Sequence, residues 1–170
     1  GNALYIGNAD NPYLILVKAK DTSITSCEIN NDTKIILYAA FDGCKNVETL
    51  AIGDGITSFD NLPITPALKE VTIGKGITSI CDYAFFNCKN LENITIPDNV
   101  TSIGEYAFYR CDNMANITIP DNVTEIGDYA FYGCGNLENI AIPNNVTKIN
   151  DYTFYGCDNL ESITIPDNVT

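Results

Sequence analysis

A 23-residue phrase occurs three times in succession in the second half of the chain. Residues 91–113 read LENITIPDNVTSIGEYAFYRCDN, residues 114–136 read MANITIPDNVTEIGDYAFYGCGN, and residues 137–159 read LENIAIPNNVTKINDYTFYGCDN. A fixed sequence period of this size is typical of solenoids, because one unit cannot bury its apolar side chains alone and neighbouring units can. The repeat therefore predicts a stack of coils.

More divergent copies of the phrase extend the repeat towards the N-terminus. We place repeat starts at 24, 47, 68, 91, 114, 137 and 160, with the last repeat truncated, so that the repeats cover residues 24–170. The repeat that begins at Val47 is two residues short and lacks the phrase Ala-Phe-x-x-Cys. We expect one continuous solenoid with a local irregularity at this repeat.

Spacing within one repeat predicts its local structure. Ile94 and Ile96 alternate with Thr95, as in a short strand with one buried face, and Pro97 ends the strand. Strands of adjacent coils are expected to form a parallel β-sheet about 4.8 Å apart. On the other face of the coil we expect short strand or helical turns, and Ala107, Phe108 and Cys111 have the spacing of the inward side of one short helical turn.

Residues 1–23 do not fit the repeat. Leu4–Ile6 and Tyr13–Val17 read as two strands around a turn-rich loop, so that a β-hairpin-like segment is expected to cap the first coil. At the other end Thr170 stops within a repeat, and we expect the natural chain to continue. The open last coil is expected to favour an edge-to-edge homodimer.

Composition excludes several classes of function. The 170 residues include no histidine, which excludes a histidine-based catalytic triad and histidine metal ligands. The formal net charge of −13 disfavours contact with nucleic acid. The longest apolar run, Tyr13–Val17, is too short for membrane insertion. With no nucleophile–base pair evident, we expect neither an enzyme nor a cofactor.

The seven cysteines do not have metal-binding spacing. Cys88, Cys111, Cys134 and Cys157 recur at the repeat period, and such a column is best interpreted as small buried side chains with free thiols. Disulfides or a metal site are the less favoured alternatives. Cys27 and Cys81 occupy other slots of the repeat, and their redox state stays open.

A second column lies in the turn after the strand. Asp98, Asp121 and Asp167 recur there beside Asn99 and its equivalents. Stacked carboxylates could collect calcium, but no repeat has a dense set of oxygen ligands, and turn formation is the better explanation. We therefore expect no metal site in this column.

Two aromatic columns are the strongest candidates for a binding surface, because tyrosine combines an apolar ring with a hydroxyl group and is enriched at interfaces. The outward Thr95 and Thr118 of the sheet are added as a weaker candidate. The alternative is that the rings only stack on each other and stabilise the coils. The candidate binding residues are Tyr83, Tyr106, Tyr129, Tyr152, Tyr109, Tyr132, Tyr155, Thr95 and Thr118.

The repeated phrase resembles the BspA-like, treponemal-type leucine-rich repeat of 23 residues. The resemblance rests on Ile-Pro-Asp-Asn-Val-Thr-x-Ile-Gly-x-Tyr-Ala-Phe-x-x-Cys and covers about residues 24–170. It implies a right-handed coil of the leucine-rich-repeat type. It also implies an extracellular or cell-surface protein, whose signal and anchor are not in this sequence, with a role in adhesion.

Two functions follow as hypotheses. The first is a binding module that contacts a protein or glycan on host or neighbouring cells through a repeat surface. The second is a structural spacer that holds other domains away from the cell surface. They differ in whether removal of the tyrosines weakens binding or only lowers stability.

Overall fold

The computed structural model describes residues 3–170, so the first two residues of the N-terminal segment lie outside the described part. Twelve strands and no helix are found in this range. They are β1 Ala3–Ile6, β2 Ile15–Ala19, β3 Ser26–Glu28, β4 Ile35–Ile36, β5 Thr49–Ala51, β6 Glu70–Thr72, β7 Ser79–Ile80, β8 Asn93–Thr95, β9 Ser102–Ile103, β10 Glu125–Ile126, β11 Asn139–Ala141 and β12 Ser162–Thr164. Short strands in successive coils, joined by turns, form a β-solenoid of about seven turns.

One side of the solenoid is a parallel sheet, which we call the front sheet. Its strands β3, β5, β6 and β8 pair in that order, and β11 pairs with β12. A single bridge from Asn116 to Asn139 joins the coil between β8 and β11 to the next one. Side chains alternate as predicted: Leu50 and Val71 are buried, whereas Thr72 and Thr95 are exposed.

A second parallel sheet, the back sheet, consists of β7, β9 and β10. Ile80, Ile103 and Ile126 occupy equivalent positions in the three strands and are buried. The apolar side chains of the front and back sheets meet in one core between them.

The N-terminal hairpin expected from the sequence is present. β1 pairs antiparallel with β2, and β2 continues in parallel with β4. Leu16 and Ala19 of β2 are buried in the common core, so the hairpin shares the apolar interior of the first coil.

The predicted helical turn is wrong. Residues around Ala107 and Phe108 form consecutive turns, and their N–H groups alternate between two kinds of partner. The N–H groups of Tyr106, Phe108 and Arg110 donate to carbonyls of the following coil, and those in between donate three residues back. A helix would satisfy its N–H groups within the segment. Apolar spacing of i, i+1 and i+4 fits both structures, and hydrogen bonds between coils decide between them.

Two buried columns run through the core behind this turn segment. The rings of Phe85, Phe108 and Phe131 stack on each other with centroids 5.3–5.4 Å apart. The Sγ atom of Cys111 donates to the carbonyl oxygen of Phe85 at 3.4 Å, and Cys134 bonds to Phe108 in the same way. Each coil is therefore tied to the preceding one by ring stacking and by a thiol hydrogen bond.

The asparagine column in the turns also links the coils. The Nδ2 atom of Asn122 donates to the carbonyl of Asp98 at 2.7 Å, and that of Asn145 donates to Asp121 at the same distance. Asn99 and Asn168 each donate to two carbonyls of the preceding coil. The column thus has a structural role, and the side-chain amides satisfy carbonyls that the turn leaves unpaired.

One buried polar atom in the first coil has no partner. The Oγ1 atom of Thr33 is buried without a hydrogen bond, in a slot that Ile56, Ile77 and Val100 fill in later coils. An unsatisfied hydroxyl costs stability, whereas valine has nearly the same shape and no polar atom.

We therefore expect Thr33→Val to raise the free energy of unfolding by about 1 kcal/mol. Urea unfolding followed by circular dichroism measures the change. Thr57→Val, at an exposed threonine, is the control and should stay within about 0.5 kcal/mol of the original protein. A loss of stability in Thr33→Val would mean that the hydroxyl has a partner, such as the Tyr5 hydroxyl.

Candidate interaction surface

The turn segments place two columns of aromatic rings side by side on the surface. In the first column, Tyr83, Tyr106, Tyr129 and Tyr152 stack with centroids 4.7–5.0 Å apart and planes within 8° of parallel. In the second, Phe86, Tyr109, Tyr132 and Tyr155 stack at 4.9–5.1 Å. We call these eight rings the tyrosine double ladder. Its spacing equals the distance between adjacent strands, which the backbone sets.

The two columns also contact each other. The Tyr106 and Tyr109 centroids are 5.5 Å apart with planes tilted by 56°, and Tyr129 and Tyr132 are 5.8 Å apart. The inner rings are half-buried by their neighbours. Rings at the two ends are more exposed: Tyr83 is 53% and Tyr155 is 60% accessible. The surface therefore presents ring edges and hydroxyl groups along its length, and ring faces mainly at its ends.

An unusual backbone conformation orients the first column. Tyr83, Tyr106, Tyr129 and Tyr152 all have positive φ, between 53° and 60°. This left-handed region is uncommon for bulky residues and carries a local energetic cost. The first three of these turns are held by the following coil; for example, the N–H of Tyr106 donates to the carbonyl of Asp128 at 3.0 Å. The same conformation occurs in each of the four coils, so the rings project in parallel.

An acidic residue precedes every tyrosine of the first column, a feature that the sequence interpretation missed. Asp82, Glu105 and Asp151 are exposed, and Asp128 is half-buried. Asp82 and Asp128 also accept N–H groups from the following coil at 2.8 and 3.2 Å. The acid–Tyr pair recurs every 23 residues, so the signal was available in the sequence. We call these four residues the carboxylate row.

The hydroxyls of Tyr106 and Tyr129, in the middle of the first column, are neutral at physiological pH. Desolvation, followed by the neighbouring Tyr129 and Tyr83 and by Glu105, raises the pKa of Tyr106. Desolvation, Tyr152 and the nearby carboxylates Asp151 and Asp128 raise the pKa of Tyr129. Both hydroxyls therefore remain available as hydrogen-bond donors beside a negatively charged row.

The other flank of the ladder carries mixed charge. Arg110 lies beside Tyr109, and its Nε is 4.0 Å from the Asp112 carboxylate in a solvent-exposed pair. At the next coils Gly133 and Gly156 take the place of Arg110, because this position also has positive φ. The ladder thus has a continuous acidic border on one side only.

Thr95 and Thr118, the remaining predicted binding residues, lie on the front sheet and are not part of the double ladder. Both are exposed, with Thr95 in β8 and Thr118 in the coil held by the single bridge at Asn116. Their neighbours in adjacent coils, such as Thr72 and Ala141, have small side chains. The structure therefore brings the seven tyrosines together and leaves the two threonines on a separate surface.

The seven cysteines are free thiols. Burial raises the pKa of Cys27 and of Cys88 to about 12, so neither is a thiolate at neutral pH. Cys81 is exposed, and it differs from the buried column in this respect. Within residues 3–170, no three histidine, cysteine or acidic side chains come together as a metal site would require. In the same range, no helix has the length and apolarity needed to cross a membrane.

Comparison with solved structures reveals the same fold in bacterial leucine-rich repeat proteins. A leucine-rich repeat protein from T. pallidum matches 98% of this chain and 81% of its own length, with 21% identity and a TM-score of 0.61. One from Bacteroides ovatus matches 99% of this chain and 53% of its own length, with 27% identity and a TM-score of 0.63. A leucine-rich cell surface protein from Faecalibacterium prausnitzii matches 99% and 70%, with 22% identity and a TM-score of 0.55.

Comparison with curated proteins gives no match. The family model described as the BspA type leucine rich repeat region matches residues 19–63 and 64–170, in six copies. This match covers nearly the whole chain and agrees with the repeat period and with the coil geometry. The chain therefore belongs to the family of BspA-type leucine-rich repeat proteins.

Proposed function

We propose that this chain is a binding module of an extracellular or cell-surface protein, and that the tyrosine double ladder is its contact surface. The observation that carries the proposal is a surface array of eight rings with seven hydroxyl groups, half-buried in the middle and exposed at the ends, on a backbone hydrogen-bonded between coils. Aromatic residues with a polar group are enriched where proteins contact each other. A preformed array loses little conformational entropy on binding, which favours affinity.

Two further points support this function. The structural neighbour from Faecalibacterium prausnitzii is described as a leucine-rich cell surface protein. Long solenoid surfaces are also well suited to large partners, because neighbouring repeats present the same groups in register. The partner is a protein or glycan on host or neighbouring cells, and its binding there would mediate adhesion.

The alternative is a structural spacer, and the ring contacts favour it. Every ring of the ladder stacks on at least one neighbour, so the columns stabilise the coils even without a partner. The small side chains of the front sheet also offer no large anchor residue. In a spacer, the ladder would still stabilise the coils but would bind no partner.

The test is an array of host matrix proteins, mucins and glycans, probed with the original protein and with Tyr106→Ser/Tyr129→Ser. We expect saturable binding that the double variant weakens by at least roughly tenfold, as for loss of central interface residues. Tyr38→Ser removes an 88% exposed tyrosine outside the ladder and should bind like the original. Circular dichroism establishes that each variant is folded.

Retained binding in the folded double variant would move the site to the front sheet. An absence of binding by the original protein across the array would favour the spacer.

A further inference from the structure

The double ladder runs along the solenoid axis with a fixed period and has a row of negative charges beside it. These features restrict the conformation and the charge of the partner. The rings repeat along the solenoid axis at 4.7–5.1 Å, with one acidic residue beside the first column in every coil. Residues 82–158 carry eleven acidic and three basic side chains. A partner that lies along the ladder therefore meets a negative field, and electrostatic complementarity favours a cationic chain.

The period selects the backbone conformation of that chain. Two coils advance about 9.6 Å, at twice the spacing of adjacent strands. A polyproline II helix advances roughly 9.3 Å in one turn of three residues, so every third side chain meets an equivalent pair of coils. Alternate residues of an extended strand are about 6.6 Å apart, which matches neither one coil nor two.

We propose that the tyrosine double ladder binds a basic polyproline II segment, with lysine or arginine at every third residue facing the carboxylate row. This inference rests on the proposed function and adds the chemistry of the partner. It commits the surface to a polypeptide.

Each part of the surface has a partner group in such a segment. Proline rings pack against the aromatic rings, as they do in other aromatic-lined sites for proline-rich peptides. Carbonyls of a polyproline II helix have no internal hydrogen bonds and can accept from tyrosine hydroxyls. Lysine or arginine stems lie over the ring edges, while their charged ends reach carboxylates two coils apart, such as Glu105 and Asp151.

Synthetic nonapeptides test the proposal by isothermal titration at low salt. The probe is acetylated (Pro-Pro-Lys)₃, which spans roughly 28 Å. (Pro-Pro-Glu)₃ keeps the conformation and reverses the charge, and (Gly-Ser-Lys)₃ keeps the charge and loses the conformation. We expect saturable binding of (Pro-Pro-Lys)₃ and at least roughly tenfold weaker binding of both controls.

A matched pair of variants locates the site. Glu105→Gln/Asp151→Asn removes two charges of the carboxylate row that are two coils apart and should weaken binding roughly tenfold. Glu92→Gln/Glu138→Gln removes two exposed charges at the same separation outside the ladder, and binding should change by less than about twofold. This pair separates a local contact from an effect of net charge.

The outcomes also separate this inference from the proposed function. The inference would be overturned in favour of general attraction to cations by either of two results. One is binding of (Gly-Ser-Lys)₃ as tight as that of (Pro-Pro-Lys)₃, and the other is an equal loss of affinity in the two double variants. If no peptide binds, but the array yields a partner that Tyr106→Ser/Tyr129→Ser no longer binds, the inference is overturned and the proposed function stays in place. Failure of both would remove the ladder as a binding site.

Discussion

Gly127→Ala is expected to lower the free energy of unfolding by about 3 kcal/mol, although it adds a single methyl group. A Cβ atom at Gly127 would lie 2.5 Å from the amide nitrogen of Glu105 and 2.6 Å from the carbonyl carbon of Gly104. Both atoms belong to the backbone of the preceding coil, so no change of side-chain rotamer relieves the clash. The coils themselves would have to move apart.

The back sheet explains why the coils resist such a movement. The N–H of Gly127 donates to the carbonyl of Ile103 at 2.8 Å, directly after the pairing of β10 with β9. Separation would lengthen this hydrogen bond and loosen the core on both sides. Cys81 and Asn150 occupy the position of the repeat that Gly127 has in its own coil. Both lie at the ends of the back sheet, where no strand pairs with the preceding coil in the described structure.

Urea unfolding followed by circular dichroism measures the effect, and Gly135→Ala is the control. A Cβ atom at Gly135 would have no atom within 4 Å, and its change in stability should stay within about 0.5 kcal/mol. Equal stabilities of the two variants would show that the coil spacing is compliant, and the spacing of the ladder would then not be fixed by the backbone.

Much of the fold follows from the repeat period, because inward residues recur at fixed positions. Ile94 in β8 and Ile96 directly after it were correctly placed towards the core, and the first hairpin was found from Leu4–Ile6 and Tyr13–Val17. Patterns within a single repeat were less informative. The spacing of Ala107, Phe108 and Cys111 predicted a helical turn, since apolar spacing does not reveal whether N–H groups bond within a coil or between coils.

The candidate surface was predicted in part for a similar reason. The tyrosine columns follow directly from the repeat period, and the residues of each column can be read from the sequence. Positive φ at Tyr106 and its equivalents was not predicted, because tyrosine has no preference for that conformation and the hydrogen bond from Tyr106 to the following coil is not visible in the sequence. The carboxylate row was missed because the net charge was considered for the whole chain and not along one side of a column.

The coil spacing joins these features into one argument about function. A backbone repeat of about 4.8 Å brings equivalent rings into stacking distance, so each column is ordered before any partner arrives. Glycines such as Gly104 and Gly127 maintain this spacing, since a side chain in either position would clash with the preceding coil. Mutations far from the ladder can therefore alter its geometry through the spacing of the coils.

The second large effect is expected for Phe108→Ala, at the centre of the buried phenylalanine column. Phe108 is fully buried and stacks on Phe85 at 5.4 Å and on Phe131 at 5.3 Å. Removal of the ring creates a cavity between three coils, and we expect a loss of about 4 kcal/mol in the free energy of unfolding. Because each coil contacts only its neighbours, the loss also weakens the coupling between the two halves of the solenoid.

Two further variants separate the contribution of the ring from that of the position. Phe108→Leu keeps most of the volume and should cost about 1.5 kcal/mol. Phe154→Ala lies at the partly buried end of the column, with Phe131 at 5.6 Å on one side, and should cost less than Phe108→Ala. Urea unfolding by circular dichroism and by tyrosine fluorescence measures all three. Equal losses at Phe108 and Phe154 would contradict the stacking argument, whereas two separate transitions in Phe108→Ala would show that this ring couples the halves.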